Sequence, residues 1–324
     1  MTTDEFLEEW NSGSDRVLVH TSGSTGAPKP MWVEKRRMVA SAITTCRFLG
    51  LKAGDTALLC MPLDYIAGKM MVVRAAVCGL RLIDVPPTGH PLAGLDSAPT
   101  FAAMVPMQVF NSLRVPEERR LLGHIRHLII GGGAIDNAMA AELAGFGNAI
   151  WSTYGMTETL SHIALRRLSG PEASQWYSPF DGVRVSLSPE GCLVIDAPDV
   201  CATTLTTNDI ARLAPDGRRF CIIGRKDNVI CSGGIKIQAE EVERLLAPHI
   251  STPFMITKRK DPKYGEAVVL MVQAQDTAEA VKACQAALPK YWQPRHIMPV
   301  SHIPTTETGK PARKEAERMA EASL

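Results

Sequence analysis

A run of hydroxyl, glycine and lysine residues near the amino terminus is the part of the sequence most able to do chemistry. Residues 21–29 hold four hydroxyl residues, two glycines and one lysine, directly after the apolar segment 17–19. Glycines let backbone N–H groups turn toward a ligand, hydroxyls add donors, and the lysine adds positive charge. The combination suits a polyphosphate, and a flexible Ser/Gly turn is the alternative. The candidate phosphate ligands are Thr21, Ser22, Gly23, Ser24, Thr25, Gly26 and Lys29.

A second cluster of small residues follows the apolar segment 127–130. Glycines allow the backbone to approach a flat ligand closely, and a helix that begins there offers free N–H donors. By itself such a cluster equally suits a tight strand-to-helix turn. Its members are Gly131, Gly132, Gly133 and Ala134.

The stretch 152–159 is more specific than either glycine run. Tyr154 offers a ring that could stack on a base, and Gly155 and Met156 follow it. Thr157 adds a hydroxyl, and Glu158 is an oxygen ligand of the kind that Mg²⁺ takes beside substrate phosphates. The alternative is a polar loop with a capping carboxylate.

Three charged residues later in the chain complete the set. Asp209 and Arg225 could hydrogen-bond the two hydroxyls of a ribose, or they could form a surface ion pair of little energetic value. Lys310 ends the polar loop 304–310, where an isolated lysine would ordinarily be solvated surface.

Composition excludes several classes of function. The chain has 324 residues, 45% hydrophobic content and a formal net charge of +1, which favours a globular enzyme of about two domains over a nucleic-acid or membrane-surface binder. Arg74 interrupts the longest apolar run, and the acidic start lacks the pattern of a signal peptide. The eight cysteines form no Cys-x-x-Cys pair, which favours reduced thiols and a cytoplasmic location.

The order of apolar segments predicts an α/β fold. Strands at 17–19, 56–60, 81–85, 101–105, 127–130 and 149–152 alternate with helices at 35–48, 66–78, 106–113 and 134–144, which is typical of a mostly parallel, helix-covered sheet. Short strands and turn signals after about residue 160 indicate a β-rich subdomain. A small α+β unit follows, with helices at 239–247 and 277–288, strands at 250–257 and 266–274, and a loop-rich tail.

Taken in order, these motifs resemble the adenylate-forming superfamily of acyl-CoA synthetases, nonribosomal adenylation domains and luciferases, over residues 17–314. The resemblance implies a large ATP- and acid-binding domain at 1–226 and a small mobile domain at 227–324. It implies a phosphate loop at 21–29, an adenine site at 131–134 and 154–156, phosphate and Mg²⁺ contacts at Thr157 and Glu158, and a ribose site at Asp209 and Arg225. It further implies a hinge at Asp227, a pantetheine-facing turn at Gly233 and Gly234, and an adenylation lysine at Lys310.

In such enzymes a carboxylate attacks the α-phosphorus of ATP, pyrophosphate leaves, and a thiol such as that of coenzyme A then displaces AMP. The sequence departs from the family pattern at three places. Few residues precede the phosphate loop, so the amino-terminal part of the fold is expected to be shortened. Pro30 stands where a glycine commonly closes the loop, and Asn208 replaces a common glycine.

The segment 61–70 is similar to the family motif that borders the acid pocket, with Tyr65 at the aromatic position. Lys69 lies four residues further on the same predicted helix face. A cation on an apolar helix needs a partner, so Lys69 either forms a structural ion pair or, like Arg74, meets a second carboxylate on the substrate.

This segment and residues 155–162 look most like o-succinylbenzoate–CoA ligases of menaquinone biosynthesis, whose substrate is an aromatic dicarboxylate. Ser161 and His162 would then line or support the acid pocket. Two alternatives stay open: an enzyme that loads another acid onto a carrier-protein thiol, and a non-catalytic nucleotide-binding module. The expected partners are small molecules, and assembly into a homo-oligomer is left open.

Overall fold

The fold is described by a computed structural model for residues 1–20, 30–133, 135–306 and 311–323. In chain order, the strands are β1 (Arg16–His20), β2 (Pro30–Glu34), β3 (Thr56–Leu59), β4 (Arg81–Asp84), β5 (Phe101–Met104), β6 (His127–Ile130), β7 (Ala149–Gly155), β8 (His162–Arg167), β9 (Ser178–Pro179), β10 (Arg184–Leu187), β11 (Cys192–Asp196), β12 (Leu205–Leu213), β13 (Phe220–Arg225), β14 (Val229–Ser232), β15 (Ile235–Gln238), β16 (Phe254–Asp261), β17 (Gly265–Val272) and β18 (His296–Pro299).

The helices agree with most of the predicted ones, with boundaries that shift by a few residues. The predicted helix 66–78 begins and ends as expected, whereas the one predicted at 134–144 begins at Asn137. The helices are α1 (Thr3–Asn11), α2 (Lys35–Leu49), α3 (Ile66–Cys78), α4 (Pro106–Arg114), α5 (Pro116–Leu122), α6 (Asn137–Ala144), α7 (Ala239–Leu246), α8 (Ala278–Ala287) and α9 (Arg313–Ala322).

The chain divides into two compact units. Unit 1 comprises Met1–Ser186, Val194–Leu205 and Leu213–Cys221, and unit 2 comprises Leu187–Leu193, Thr206–Arg212 and Ile222–Leu324.

The central sheet of unit 1 has the strand order β4-β3-β5-β6-β7-β8-β9. Its first five strands pair in parallel, as the alternating pattern predicts, and β8 and β9 add antiparallel strands at one edge. Strand β5 is buried throughout, with Phe101 and Ala103 in one apolar cluster and Ala102 and Met104 in another. Since alternate residues of a strand face opposite ways, the two clusters form the cores on the two faces of the sheet.

Strand β1 does not join this sheet, although the alternating pattern included it. It pairs antiparallel with β2, from Arg16 opposite Glu34 to His20 opposite Pro30. The prediction lacked β2, which lies close enough along the chain to take β1 as its antiparallel partner in a hairpin. The nine residues between β1 and β2 are too few for a crossover helix.

Helix α1 was not predicted. The Thr2 hydroxyl caps it by accepting from the Glu5 backbone N–H, and the Glu5 carboxylate accepts in return from the Thr2 backbone N–H, which completes a capping box. Phe6 is fully buried in the apolar cluster that includes Met70 and Met71 of α3. The segment before β1 is therefore part of the core of unit 1.

Unit 2 contains a second core. The sheet order is β15-β14-β17-β16, with β18 parallel to β17. Helix α7 buries Ala239, Val242 and Leu246, which belong to one apolar cluster with residues of β17 and α8. The carboxyl-terminal tail was predicted as loop, but it ends in helix α9, which buries Ala316 and Ala320.

The remaining strands form a sheet in the order β10-β11-β12-β13, as the short strands and turn signals predicted. All eight cysteines are free, and six of them are buried. In the part of the chain that the structure describes, no helix is long and apolar enough to cross a membrane.

A half-buried histidine at the start of β6 predicts that the protein is destabilised by acid. Burial, together with Arg126 and Arg167, lowers the pKa of His127 to about 4, and its Nδ1 has no hydrogen-bond partner among the described residues. Below its ordinary pKa of about 6.5 the unfolded chain binds a proton that the folded chain excludes. Stability is therefore complete above pH 6.5 and falls as the pH drops toward 4, by at most about 1.4 kcal/mol per pH unit for this group.

We expect His127→Gln to flatten that dependence while leaving stability at pH 8 little changed. Thermal unfolding of both proteins at intervals from pH 8 to pH 4.5 measures the difference, and every other titrating group cancels in the comparison. Equal pH dependence in the two proteins would assign the acid sensitivity to other groups.

Candidate functional site

The residues on either side of the predicted phosphate loop pair with each other in the β1–β2 hairpin. His20 and Pro30 pair across it, and His20 also forms an isolated parallel bridge with Tyr65, just before α3. The two residues that flank segment 21–29 are thus fixed next to each other, beside the start of α3. The predicted ligands themselves, Thr21, Ser22, Gly23, Ser24, Thr25, Gly26 and Lys29, lie outside the described residues.

The second glycine cluster lies at the carboxyl end of β6. Gly132 has a φ of 79°, and a methyl group added at Gly131 would overlap the hydroxyl oxygen of Thr153 on β7. Both positions therefore require glycine, for conformation and for close approach respectively. Ala134 lies outside the described residues.

Tyr154 lies at the carboxyl end of the adjacent strand β7. Its ring packs against Phe220 at a centroid distance of 5.1 Å and against Tyr177 at 5.8 Å. Because β6 and β7 are parallel, their carboxyl ends meet at one edge of the sheet, where open α/β sheets commonly bind ligands. The structure thus brings the glycine cluster and this aromatic group to the same edge.

The turn after β7 carries the predicted phosphate and metal contacts. Thr157–Thr159 form a 3₁₀ turn that follows Met156, with Thr157 buried and Glu158 exposed. The backbone carbonyl of Glu158 accepts from the Cys201 thiol at 3.4 Å, so the turn is anchored while its carboxylate faces solvent. No cluster of three His, Cys, Asp or Glu side chains suitable for a metal occurs among the described residues.

The predicted ribose residues are neighbours within unit 2. Arg225 Nη1 lies 4.0 Å from Asp209 Oδ1, and Arg225 Nη2 lies 3.2 Å from Asp227 Oδ2. Thr207 Oγ1 accepts from the Asp209 backbone N–H at 3.1 Å, which anchors the backbone beside it. The side chains of Asp209 and Arg225 remain partly accessible, at 19% and 37%.

The predicted hinge and tunnel residues lie close together in sequence but on different elements. Asp227 is in the 3₁₀ turn Lys226–Asn228, directly before β14. Gly233 and Gly234, with φ of 58° and 83°, form the two-residue turn between β14 and β15. Such a hairpin turn needs positive φ at both positions, which explains the two glycines. Lys310 lies outside the described residues.

Helix α3 places its two cations on different sides. Lys69 is buried, with Nζ 3.8 Å from Glu9 Oε2 and 4.6 Å from the centre of the Phe6 ring of α1. Burial lowers the pKa of Lys69, while Glu9 and Asp64 oppose that change. Lys69 therefore has a carboxylate partner inside the chain. Tyr65, one turn before it, is partly exposed.

Arg74 is also buried but has no such partner. Its Nη2 donates to Ser161 Oγ at 2.7 Å, and its Nε is buried without a hydrogen-bond partner. No Asp or Glu of the described residues forms an ion pair with it, and burial lowers its pKa to about 10. A desolvated cation without a counter-ion is unfavourable, so the site is suited to an anion supplied by a ligand.

The backbone that carries Ser161 and His162 is tightly constrained. A methyl group at Gly155 would overlap the Ser161 carbonyl and the His162 Cα, so only glycine permits this approach. Leu160, the residue just before Ser161, has a φ of 64°. Among the described residues it is the one non-glycine residue with a positive φ. Strain of this kind persists where the surrounding structure enforces it. His162 is buried, and burial together with Arg74 lowers its pKa well below the ordinary value.

Sequence reasoning missed one member of this cluster. Thr45 of α2 is fully buried, and its Oγ1 lies 3.2 Å from His162 Nε2. A signal was available, because Ser41 and Thr45 occupy the same apolar face of α2 as Ala42 and Leu49. Polar side chains at core positions of an amphipathic helix require hydrogen-bond partners.

Comparison with known proteins supplies the family. A family model described as "AMP-binding enzyme" matches residues 5–187. Among curated relatives, the 2-succinylbenzoate–CoA ligase of Bacillus cereus (strain ATCC 10987 / NRS 248) is 25% identical, over 97% of this chain and 72% of its own length.

Solved structures show the same fold. The acyl-CoA synthetase (AMP-forming)/AMP-acid ligase II-like protein from Dyadobacter fermentans DSM 18053 is 35% identical, with a TM-score of 0.66 over 98% of this chain and 92% of that one. The o-succinylbenzoate coenzyme A synthetase from Bacillus subtilis, in complex with ATP and magnesium ion, is 21% identical, with a TM-score of 0.75 over 92% of this chain and 69% of that one.

Proposed function

The chain belongs to the AMP-binding enzyme family, and from that premise we propose that it converts an aromatic dicarboxylate, o-succinylbenzoate or a close analogue, into its coenzyme A thioester through an acyl-adenylate. The observation that carries the substrate class is the buried guanidinium of Arg74, which has no carboxylate partner in the described chain. The curated relatives named for 2-succinylbenzoate support the same class, at 24–25% identity.

A second carboxylate on the acid would complete the environment of Arg74. One carboxylate must be free to attack ATP, so an acid that also neutralises a buried cation needs two. A monocarboxylic fatty acid would leave the guanidinium desolvated and uncompensated. A dicarboxylate is therefore preferred for two reasons. Its second carboxylate binds the guanidinium, and an acid without one leaves that cation unpaired, which disfavours its binding.

Of the two candidate cations we assign this role to Arg74. Lys69 already lies 3.8 Å from Glu9 and is oriented toward α1. Arg74 instead contacts Ser161. Ser161 and the next residue, His162, are the two residues expected at the acid pocket. A planar guanidinium also matches a carboxylate better than an ammonium does, because it can donate two parallel hydrogen bonds.

ATP is proposed to bind through the motifs in their family roles. Segment 21–29 would hold the phosphates. The adenine would lie between the backbone of the glycine cluster and the ring of Tyr154, and Gly155 and Met156 would complete the adenine site. Thr157 would donate to a phosphate. Asp209 and Arg225, whose side chains are both partly accessible, would hold the ribose hydroxyls.

The residues present also fit a magnesium ion. Mg²⁺ typically binds one or two carboxylates together with substrate phosphates and water, and Glu158 offers an exposed carboxylate on an anchored turn. Bound there, the ion would neutralise charge on the phosphates.

The adenylation step asks the protein mainly for positioning and charge neutralisation. The acid carboxylate attacks the α-phosphorus, the bond to the bridging oxygen breaks, and pyrophosphate leaves with the electron pair. Two anions must approach each other, and we assign to Lys310 the bridging of the carboxylate and the α-phosphate.

The second step transfers the acyl group to sulfur. The thiol of coenzyme A attacks the adenylate carbonyl, AMP leaves, and the thiol proton is released. We propose Asp227 as the hinge residue for this step and the turn of Gly233 and Gly234 as the contact for the pantetheine arm. A two-glycine turn presents backbone without side chains, which suits a narrow passage for an extended thiol arm.

The experiment that tests the function is pyrophosphate release with ATP and Mg²⁺ across a panel of acids. The panel contains o-succinylbenzoate, its monocarboxylic analogues, benzoate, fatty acids and amino acids, each with and without coenzyme A. We expect release with o-succinylbenzoate and an acyl-CoA product identified by mass spectrometry. Release only with a monocarboxylic acid would overturn the substrate class, and adenylate formation without transfer to coenzyme A would favour a carrier-protein thiol.

A further inference from the structure

We propose that Thr45 of α2 is a positioning residue, which orients Arg74 through a directional hydrogen-bond chain that runs through His162 and Ser161. This inference rests on the proposed function insofar as Arg74 receives the second carboxylate of the acid. The chain of contacts itself is a property of unit 1. Each link is within hydrogen-bond distance, and the direction of each follows from the donors and acceptors available.

The direction is set at the Thr45 end. Thr45 Oγ1 lies 3.0 Å from the carbonyl oxygen of Ser41, to which only the hydroxyl proton can be donated. The Thr45 oxygen is then left as an acceptor for His162 Nε2, 3.2 Å away. The imidazole must therefore carry its proton on Nε2.

The same assignment follows from the Arg74 end. Arg74 Nη2 can only donate, so Ser161 Oγ accepts at 2.7 Å. The Ser161 hydroxyl proton is then directed to His162 Nδ1, which lies 3.1 Å away and must be unprotonated to accept it. Both ends require the neutral imidazole with its proton on Nε2.

Burial makes this arrangement specific. Thr45 is fully buried and His162 is 7% exposed, so neither finds water as a substitute partner. A protonated imidazole would place a second cation next to the Arg74 guanidinium in a desolvated site. The ring of Phe180 lies edge-on to His162 at a centroid distance of 5.4 Å and limits its rotation.

The consequence for Arg74 is orientation. One Nη2 donor is committed to Ser161, and the Nε donor remains buried without a partner. A fixed Ser161 hydroxyl restricts the orientation of the guanidinium, and with it the direction in which the remaining donors meet an anion. Since geometric precision matters strongly in bidentate recognition, loss of the chain should weaken binding of the second carboxylate in particular.

The first test is the tautomer of His162, which needs no substrate. In a long-range ¹H–¹⁵N spectrum of histidine-labelled protein at pH 7, the signals missing from a His162→Gln variant identify this ring. We expect a pyrrole-type Nε2 and a pyridine-type Nδ1. The opposite tautomer, or an imidazolium, would overturn the hydrogen-bond chain.

The second test compares two acids in three variants. Thr45→Val keeps the shape of the side chain and removes the hydroxyl, whereas Thr45→Ser keeps the hydroxyl. Thr44→Val changes the neighbouring threonine, which is not part of the hydrogen-bond chain. We expect Thr45→Val to raise the KM for o-succinylbenzoate about fivefold, the effect of one neutral hydrogen bond, with kcat and the KM of a monocarboxylic analogue within about twofold. Thr45→Ser and Thr44→Val should resemble the native protein.

An equal loss with both acids would make Thr45 a structural residue and overturn its positioning role, as would no loss with either. A native protein that does not prefer dicarboxylic acids would instead overturn the proposed substrate class. In that case the tautomer measurement still decides whether the hydrogen-bond chain exists. Failure of the Thr45 proposal and failure of the proposed substrate class are therefore distinguishable.

Discussion

Lys310→Ala is expected to lower the rate of acyl-adenylate formation by about 100-fold or more, the range found when one preorganised transition-state contact is removed. The reason is electrostatic, because a carboxylate and a phosphate must meet and both are anions. A lysine is a long, mobile point charge that can bridge them, and alanine leaves the repulsion uncompensated. Release of pyrophosphate in a single turnover measures this step directly.

The same variant should retain the thioester step. With synthetic acyl-adenylate supplied, thioester formation from coenzyme A needs no contact between the carboxylate and the α-phosphate, so its rate should stay within about threefold of the native value. Lys314→Ala is the matched control, since Lys314 is an exposed lysine of α9 four residues further on. Equal damage to both half-reactions would contradict the role assigned to Lys310.

The parts of the fold that were predictable are those governed by local pattern. The alternation of apolar strands and amphipathic helices was sufficient for the parallel sheet, because each β–α pair carries its own periodicity. Strand β1 was assigned to the wrong sheet, since its residues read as a buried strand in either context. Only the nine-residue connection to β2 distinguishes the hairpin.

Elements that depend on tertiary contacts were missed. Helix α1 is short and strongly acidic, and its single deeply buried residue, Phe6, gives little periodic signal. Helix α9 buries only alanines among its described positions. In both cases packing against the remainder of the unit stabilises a segment whose own apolar pattern is weak.

In the candidate site, too, features set by local sequence were predictable and features that depend on tertiary contacts were not. Motif residues could be named because each has a chemical type suited to a ligand, but sequence offered two cations near the acid pocket. Residues five apart on a helix differ by about 140° in direction, so Lys69 and Arg74 had to face different neighbours. Which neighbour carries a carboxylate is a tertiary fact, and it is Glu9 of the unpredicted α1 that pairs with Lys69.

Arg74→Met should lower kcat/KM for o-succinylbenzoate by about 100-fold, which is the expected loss of one charge-assisted contact in a desolvated site. A monocarboxylic analogue should lose less than about threefold. The same change should leave the melting temperature equal or higher, because methionine has similar bulk and removes a buried charge that has no carboxylate partner in the described chain. Steady-state kinetics with both acids and thermal unfolding measure the two effects.

Lys69→Met is the matched control on the same helix, and its expected result is the reverse. It breaks the ion pair with Glu9 and the contact with the Phe6 ring, so the melting temperature should fall. Its kinetic effect should be similar for dicarboxylic and monocarboxylic acids, since the lost contact lies within the chain. If Lys69→Met rather than Arg74→Met removed the preference for two carboxylates, the assignment of the acid-binding cation would be wrong. A stability gain coupled to loss of dicarboxylate binding would identify Arg74 as a group retained for function at the expense of stability.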